Sequence, residues 1–94
     1  MHYIVSYDIA NDRRRRRLVK FLGDYMCRIQ YSVFAGDFDE SILEKLKSWI
    51  SYVIEPDEDS VLIFPLCALD WQKRLSFGVE SESVADYEKD FQIF

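Results

Sequence analysis

Twice along this chain an apolar pattern of period two gives way to one of period 3.6, and this switching constrains the fold more than any other feature. In residues 2–9, HYIVSYDI, Tyr3, Val5, Tyr7 and Ile9 fall on one side and His2, Ile4, Ser6 and Asp8 on the other. A strand with one apolar and one mixed face is expected there. Asn11 or Asp12 then supplies an N-cap, and a helix runs to about Tyr25, with Leu18, Phe21, Leu22 and Tyr25 on one stripe and Val19 at its margin. Residues 27–36, CRIQYSVFAG, alternate again: Cys27, Ile29, Tyr31, Val33 and Ala35 against Arg28, Gln30, Ser32 and Phe34. With helices on one face of the sheet, the second set is expected beside Ser6 and Asp8. A second helix follows, capped by Asp39 and stapled by Phe38 and Leu43, with Ile42, Leu46, Trp49, Ile50 and Val53 as its buried stripe.

After the loop EPDED, residues 60–69, SVLIFPLCAL, read as a strand apolar on both faces, with Pro65 marking an irregular or edge position. Residues 74–79, RLSFGV, are expected to add one more short strand. The order strand, helix, strand, helix, strand implies an α+β sandwich with both helices on one side. At 94 residues there is room for one domain, expected over 1–79, and a tail over 80–94. Phe91, Ile93 and Phe94 are too apolar for that tail to dangle, so it either packs on its own sheet or adds a strand to a partner's at a dimer interface. CRIQYSVFAGDF carries no obvious hairpin turn, which favours one bent strand or a short strand running into a longer one.

Charge is distributed unevenly. The chain has Lys+Arg 12 against Asp+Glu 17, a net charge of -5, yet five consecutive arginines occupy 13–17. Residues 1–47 hold nine basic and seven acidic side chains, while 48–94 hold three and ten. A nucleic-acid partner is therefore compatible with the acidic total, provided the basic surface is local. On the first helix Arg13, Arg16, Arg17 and Lys20 point away from the apolar stripe and suit phosphate backbone. Arg14 and Arg15 lie over that stripe, where a charged head needs a partner or a route to water.

Several chemistries are hard to build from this inventory. The only histidine is His2, so a Ser-His-Asp or Cys-His arrangement lacks a base, and the 3 glycines are isolated, so no phosphate-cradling loop is visible. Cys27 and Cys67 are far apart and read as free thiols of a cytoplasmic protein. No export or membrane-spanning segment is indicated. What remains is one carboxylate, Asp8, at a strand end with arginines nearby. That pairing suits phosphodiesters, because arginines bind phosphate oxygens and a carboxylate holds a divalent cation. Plainer readings stand beside it: Asp8 as a turn residue or the ion-pair partner of Arg14 or Arg15, the arginines as a solvated helical face, and Arg28, Gln30 and Ser32 as a wet sheet face. The acidic loop Asp57, Glu58, Asp59 reads as a solvated turn rather than a metal site.

YIVSYDI, a basic helix, RIQYSVFAG, an amphipathic helix and DSVLIFPL together resemble the small CRISPR-associated endonucleases, the Cas-two family of the spacer-acquisition machinery, over roughly residues 1–79. The most specific pieces are Tyr7-Asp8-Ile9 and the run from Arg28 to Phe34. The resemblance implies a ferredoxin-like βαββαβ sandwich with an extra C-terminal strand, forming a homodimer in which the two Asp8 side chains share Mg2+ or Mn2+. It implies metal-dependent cleavage of single-stranded RNA or double-stranded DNA, or a non-catalytic place between subunits of the CRISPR-associated integrase. By position, supporting roles fall on Tyr7, Arg15, Arg17, Arg28 and Phe34. Two residues depart from the family pattern: Met26 stands where a glycine is common and Ala35 where an acidic residue is frequent. A two-fold axis supplies the second carboxylate that a single Asp8 lacks, and two facing carboxylates would make metal binding pH-dependent. A third class, a ferredoxin-like RNA-binding module, needs exposed aromatics for base stacking, and Phe34 alone is thin support for it.

Overall fold

The first strand, β1 (His2–Asp8), lies between two others and organises the sheet around it. The structure is a computed structural model and describes residues 1–80, 84, 85 and 87. After β1 come α1 (Asp12–Gly23), β2 (Cys27–Gln30), β3 (Val33–Asp37), α2 (Glu40–Val53), β4 (Ser60–Leu66) and a short α3 (Ala68–Gln72). The four strands form one antiparallel sheet in the order β2-β3-β1-β4. This is the βαββαβ order of a ferredoxin-like sandwich, as expected. Local chemistry starts both long helices: the Asn11 side chain accepts from the Arg14 amide and Asp39 from the Ile42 amide, each satisfying an orphan donor of the first turn.

The segment 27–36 is a hairpin rather than one bent strand. β2 and β3 pair antiparallel across a two-residue turn at Tyr31 and Ser32, with a register shift between Arg28 and Gln30. Among the described residues no non-glycine residue has a positive φ, so this is not one of the left-handed turns that asparagine and glycine announce. The face assignment also needs correction. Val5 pairs with Phe34 and Phe34 with Arg28, which puts Phe34 and Arg28 on the helix side, away from Asp8.

The main core lies between the sheet and the helices: Val5, Tyr7, Ile9, Leu18, Leu22, Met26, Phe34, Leu46 and Ile50 are buried together, with Ile42, Val61 and Ile63 against them. On the opposite face Ala35, Trp71, Val84 and Tyr87 form a second core with Ile4, Cys27, Ile29 and Leu66. The sheet is thus covered on both sides in its β2–β3 half, and α3 is a helix the pattern did not announce. Elsewhere on that second face Leu62 and Phe64 of β4 are 54% and 47% exposed. Residues 74–79 form no strand; Gly78 there takes a φ of 82°. Val84, Ala85 and Tyr87 are helical, and the apolar residues Phe91, Ile93 and Phe94, on which a tail strand was expected, lie outside the described residues.

Met26 is accommodated in an unexpected way. α1 ends without a left-handed residue: the amides of Tyr25 and Met26 both return to the Leu22 carbonyl, and Met26 turns into the core at 7% exposure. Its Cγ lies where Gly36 has no side chain, 2.9 Å from where a Cβ would sit. Ala35, in place of an acidic residue, is fully buried in the second core.

Candidate functional site

Asp8 closes β1, opposite Ser60 of β4, and is exposed. The chain is held tightly on both sides of it. The Tyr7 amide donates to the Ser32 carbonyl at 3.1 Å, and the Tyr7 hydroxyl donates to the Tyr31 carbonyl at 3.0 Å. On the other side Ile9 is buried in the core and its carbonyl accepts from Arg15 Nη1 at 3.2 Å. Among the described residues, no side chain or amide donates to the Asp8 carboxylate. A cleft of about 410 Å³ opens beside it, lined by Tyr7, Ile9, Arg15, Tyr31 and Ser32.

Tyr7 and Arg28 meet at the β2–β3 turn. Arg28 donates twice to the Tyr31 carbonyl, from Nε at 2.9 Å and Nη2 at 2.6 Å, and Nη2 also donates to the Tyr7 hydroxyl at 3.3 Å. Its guanidinium lies 5.1 Å from the Tyr31 ring centroid and 5.7 Å from that of Phe34. A turn carbonyl receiving three donors replaces the glycine or asparagine that a sequence reader looks for. Phe34, 2% exposed, supports this clamp from beneath and offers no ring to a base.

The five arginines divide. Arg14 binds Asp59 with Nε to Oδ2 at 2.8 Å and Nη2 to Oδ1 at 3.2 Å. The Asp59 side chain has no solvent exposure and also accepts from the amides of Ala10 at 3.0 Å and Glu55 at 2.8 Å. The Arg14 guanidinium foremost, and then these amides, hold its carboxyl down to about 2 against the opposing effect of burial. Arg15 pairs with Asp12 as well as the Ile9 carbonyl. Both arginines over the apolar stripe therefore have partners, and neither is Asp8. Arg13 and Arg16 are exposed with no ion-pair partner among the described residues. Arg17 sits over two rings of α2, 5.7 Å from the centroid of Trp49 and 5.9 Å from that of Tyr52.

Sequence reasoning missed Asp59, which sits in a run of acids that reads as solvated. The signal for it was Arg14, a charge over an apolar stripe in need of a partner. It also missed the exposed position of Tyr52, which the buried stripe of α2 leaves to solvent. For a cation, the described residues contain no cluster of three or more acidic, histidine or cysteine ligands. The free oxygens of Asp8 nevertheless fit a hard divalent ion, which takes one or two carboxylates and keeps several waters.

The sequence matches the family model described as CRISPR associated protein Cas2 over residues 1–74. It is 37% identical over 86 residues to the CRISPR-associated endoribonuclease Cas2 of Thermococcus kodakarensis, covering 92% of this chain and 98% of that protein. It is 33% identical over 79 residues to CRISPR-associated endoribonuclease Cas2 3 of Chloroflexus aurantiacus, covering 84% and 85%. The fold is similar to the crystal structure of Streptococcus pyogenes Cas2, with a TM-score of 0.73 and 26% identity over 84% of this chain and all of that one. It is similar too to a hypothetical protein from Thermus thermophilus, with a TM-score of 0.75 and 32% identity over 85% of this chain and 93% of that one.

Proposed function

Since the chain belongs to the Cas2 family of CRISPR-associated proteins, we propose that it is a metal-dependent endonuclease of antiviral defence that works as a homodimer. Its reaction is hydrolysis of phosphodiester bonds in single-stranded RNA or double-stranded DNA, with Asp8 of each copy holding Mg2+ or Mn2+. The observation that carries this reading is the contrast within Tyr7-Asp8-Ile9. The residues on either side are committed to the core, the turn and Arg15, whereas the Asp8 carboxylate is exposed and uncommitted. A rigid backbone presenting one free carboxylate is what a metal ligand requires.

In this reading Asp8 is the catalytic residue and its neighbours position it. The Tyr7 hydroxyl is spent on the Tyr31 carbonyl and Arg28 on the turn, so both fix the wall of the cleft. Arg15 pins the chain just past Asp8. Arg13, Arg16 and Arg17 lie on α1 beyond the cleft and hold phosphate backbone, which makes binding sequence-independent and salt-sensitive. The bound ion would polarise the phosphoryl oxygen and supply a nucleophilic water. The second carboxylate comes from the other copy. Supporting this, Leu62 and Phe64 form an uncovered apolar surface on the same sheet face as Ser6 and Asp8.

Asp8→Asn is expected to lower metal-dependent cleavage of RNA and DNA by at least roughly 100-fold, since even partners of metal ligands carry 10–100-fold effects, while light scattering still finds a dimer. Undiminished cleavage by the purified variant would falsify the catalytic role. The alternative is a structural adaptor that binds DNA and bridges integrase subunits, and the unpaired Arg13 and Arg16 favour it. An adaptor keeps spacer acquisition in Asp8→Asn and loses it when Arg13 and Arg16 are both reversed to Glu.

A further inference from the structure

The outer seam between α1 and α2 carries aromatic surface that extends beyond the core, from Phe21 and Tyr25, which pack against it, to Trp49 and Tyr52, which do not. Leu18, Leu22, Leu46 and Ile50 already close the helix layer over the sheet. Outside them Tyr25, Phe21, Trp49 and Tyr52 follow one another with ring centroids 5.4, 4.9 and 5.8 Å apart. Trp49 and Tyr52 stack at an interplanar angle of 29°, and Phe21 is tilted from Trp49 by 31°. Tyr52 is 74% exposed, and a groove of about 900 Å³ runs along the ladder. Its charged lining is Arg17, Lys45 and Glu44, and Glu44 is itself paired to Lys47 at 3.1 Å. The groove is therefore apolar in its floor and positive at its rim.

Arg17 joins this ladder to the basic face of α1. Its guanidinium rests on Trp49 and Tyr52 rather than on a carboxylate. Arg13 and Lys20, at four residues before and three after, share its side of the helix. Arg13 and Arg17 are about 6 Å apart along the axis, a step on the scale of successive phosphates. Rings ready to stack, edged by cations spaced for a backbone, are the two parts of a single-strand site.

We propose that this seam is a base-stacking platform for single-stranded nucleic acid, with bases on the Trp49–Tyr52 rings and phosphates on Arg13, Arg17 and Lys20. The inference rests on the nucleic-acid reading above and extends it from phosphates to bases, on the side of the sheet away from Asp8. Charge complementarity favours a strand over a protein partner: an acidic chain that concentrates cations here is complementary to a polyanion.

The test compares labelled oligothymidine of about twelve nucleotides, within the site size of single-strand binders, with an abasic strand of equal length. The expected result is that the protein binds the thymidine strand roughly 5- to 160-fold more tightly, the span of one stacked base. Tyr52→Ala should remove that preference and leave the abasic affinity unchanged, and Tyr52→Phe should restore it. Equal affinity for both strands, or a Tyr52→Ala protein that keeps the preference, overturns the platform while salt-sensitive backbone binding survives. Binding of neither strand overturns the platform and the nucleic-acid reading together. If Tyr52→Ala loses the integrase while keeping its strand preference, the surface belongs to a protein partner and the platform is refuted.

Discussion

A carboxylate without solvent exposure is the residue with the most to lose in acid. Asp59 is held ionised by Arg14 and by the Ala10 and Glu55 amides, and its folded-state value of about 2 lies below the ordinary carboxylate range near 3.8. A depressed value of this kind adds stability that is present above about pH 4 and is lost as pH falls toward 2. Melting temperature measured stepwise between pH 7 and pH 2 should therefore drop within that window. Asp59→Asn should flatten the drop and lower the neutral-pH Tm by at least about 4 °C, the scale of 1 kcal/mol in a domain this small. An Asp59→Asn protein with the same Tm and the same acid profile as the parent would show that the clamp contributes nothing. Asp8 contrasts with it: Asp59, bound to Arg14, anchors the fold, whereas the Asp8 carboxylate is left open to a ligand.

At the scale of elements, the exit of α1 and the strand β3 fit each other through one missing methyl. A Cβ on Gly36 would sit 2.9 Å from Met26 Cγ and 3.0 Å from the Tyr25 carbonyl. The side chain can shift but the carbonyl is backbone, so Gly36→Ala should destabilise by about 1–3 kcal/mol, as overpacking does. Denaturant melts of Gly36→Ala with Met26 and with Met26→Ala should show coupling between the sites; strictly additive losses would leave the carbonyl as the sole obstacle. Both long helices were legible in the sequence because their caps and stripes are local, carried by Asn11, Asp39 and the leucines. The hairpin was not, because its turn is stabilised from β1 and β2 by Tyr7 and Arg28 instead of by turn residues. The parity of 27–36 was legible only in part: Arg28 and Phe34 do share a face, but the register shift after Arg28 puts Gln30 opposite Val33, a residue of the other set. Which face was not: Arg28 is exposed, as its type suggests, yet it lies on the helix side of the sheet, where the Tyr31 carbonyl meets its guanidinium near the turn. Asp8 was visible as a candidate because its strand ends where the arginines begin, while the aromatic seam needed the two helices to be brought together.

For the whole molecule, the exposed pair Leu62 and Phe64 matters because it lies on the same sheet face as Asp8. If it is the seam between two copies, Phe64→Glu should yield monomers in analytical ultracentrifugation and lose cleavage as well, since each copy then has one carboxylate alone. A Phe64→Glu protein that stays dimeric would move the seam elsewhere. The position of β4 at the edge of the sheet has one further consequence. SVLIFPL is a short, uncharged, β-prone run that pairs on one side only, with β1, among the described residues, the kind of segment that recruits copies of itself into aggregates. Pro65 interrupts that run, and Glu55, Asp57, Glu58 and Asp59 stand immediately ahead of it. Such residues act as gatekeepers. The acids just ahead of β4 are thus expected to do more than set the net charge, lowering the tendency of this run to aggregate in a newly made chain.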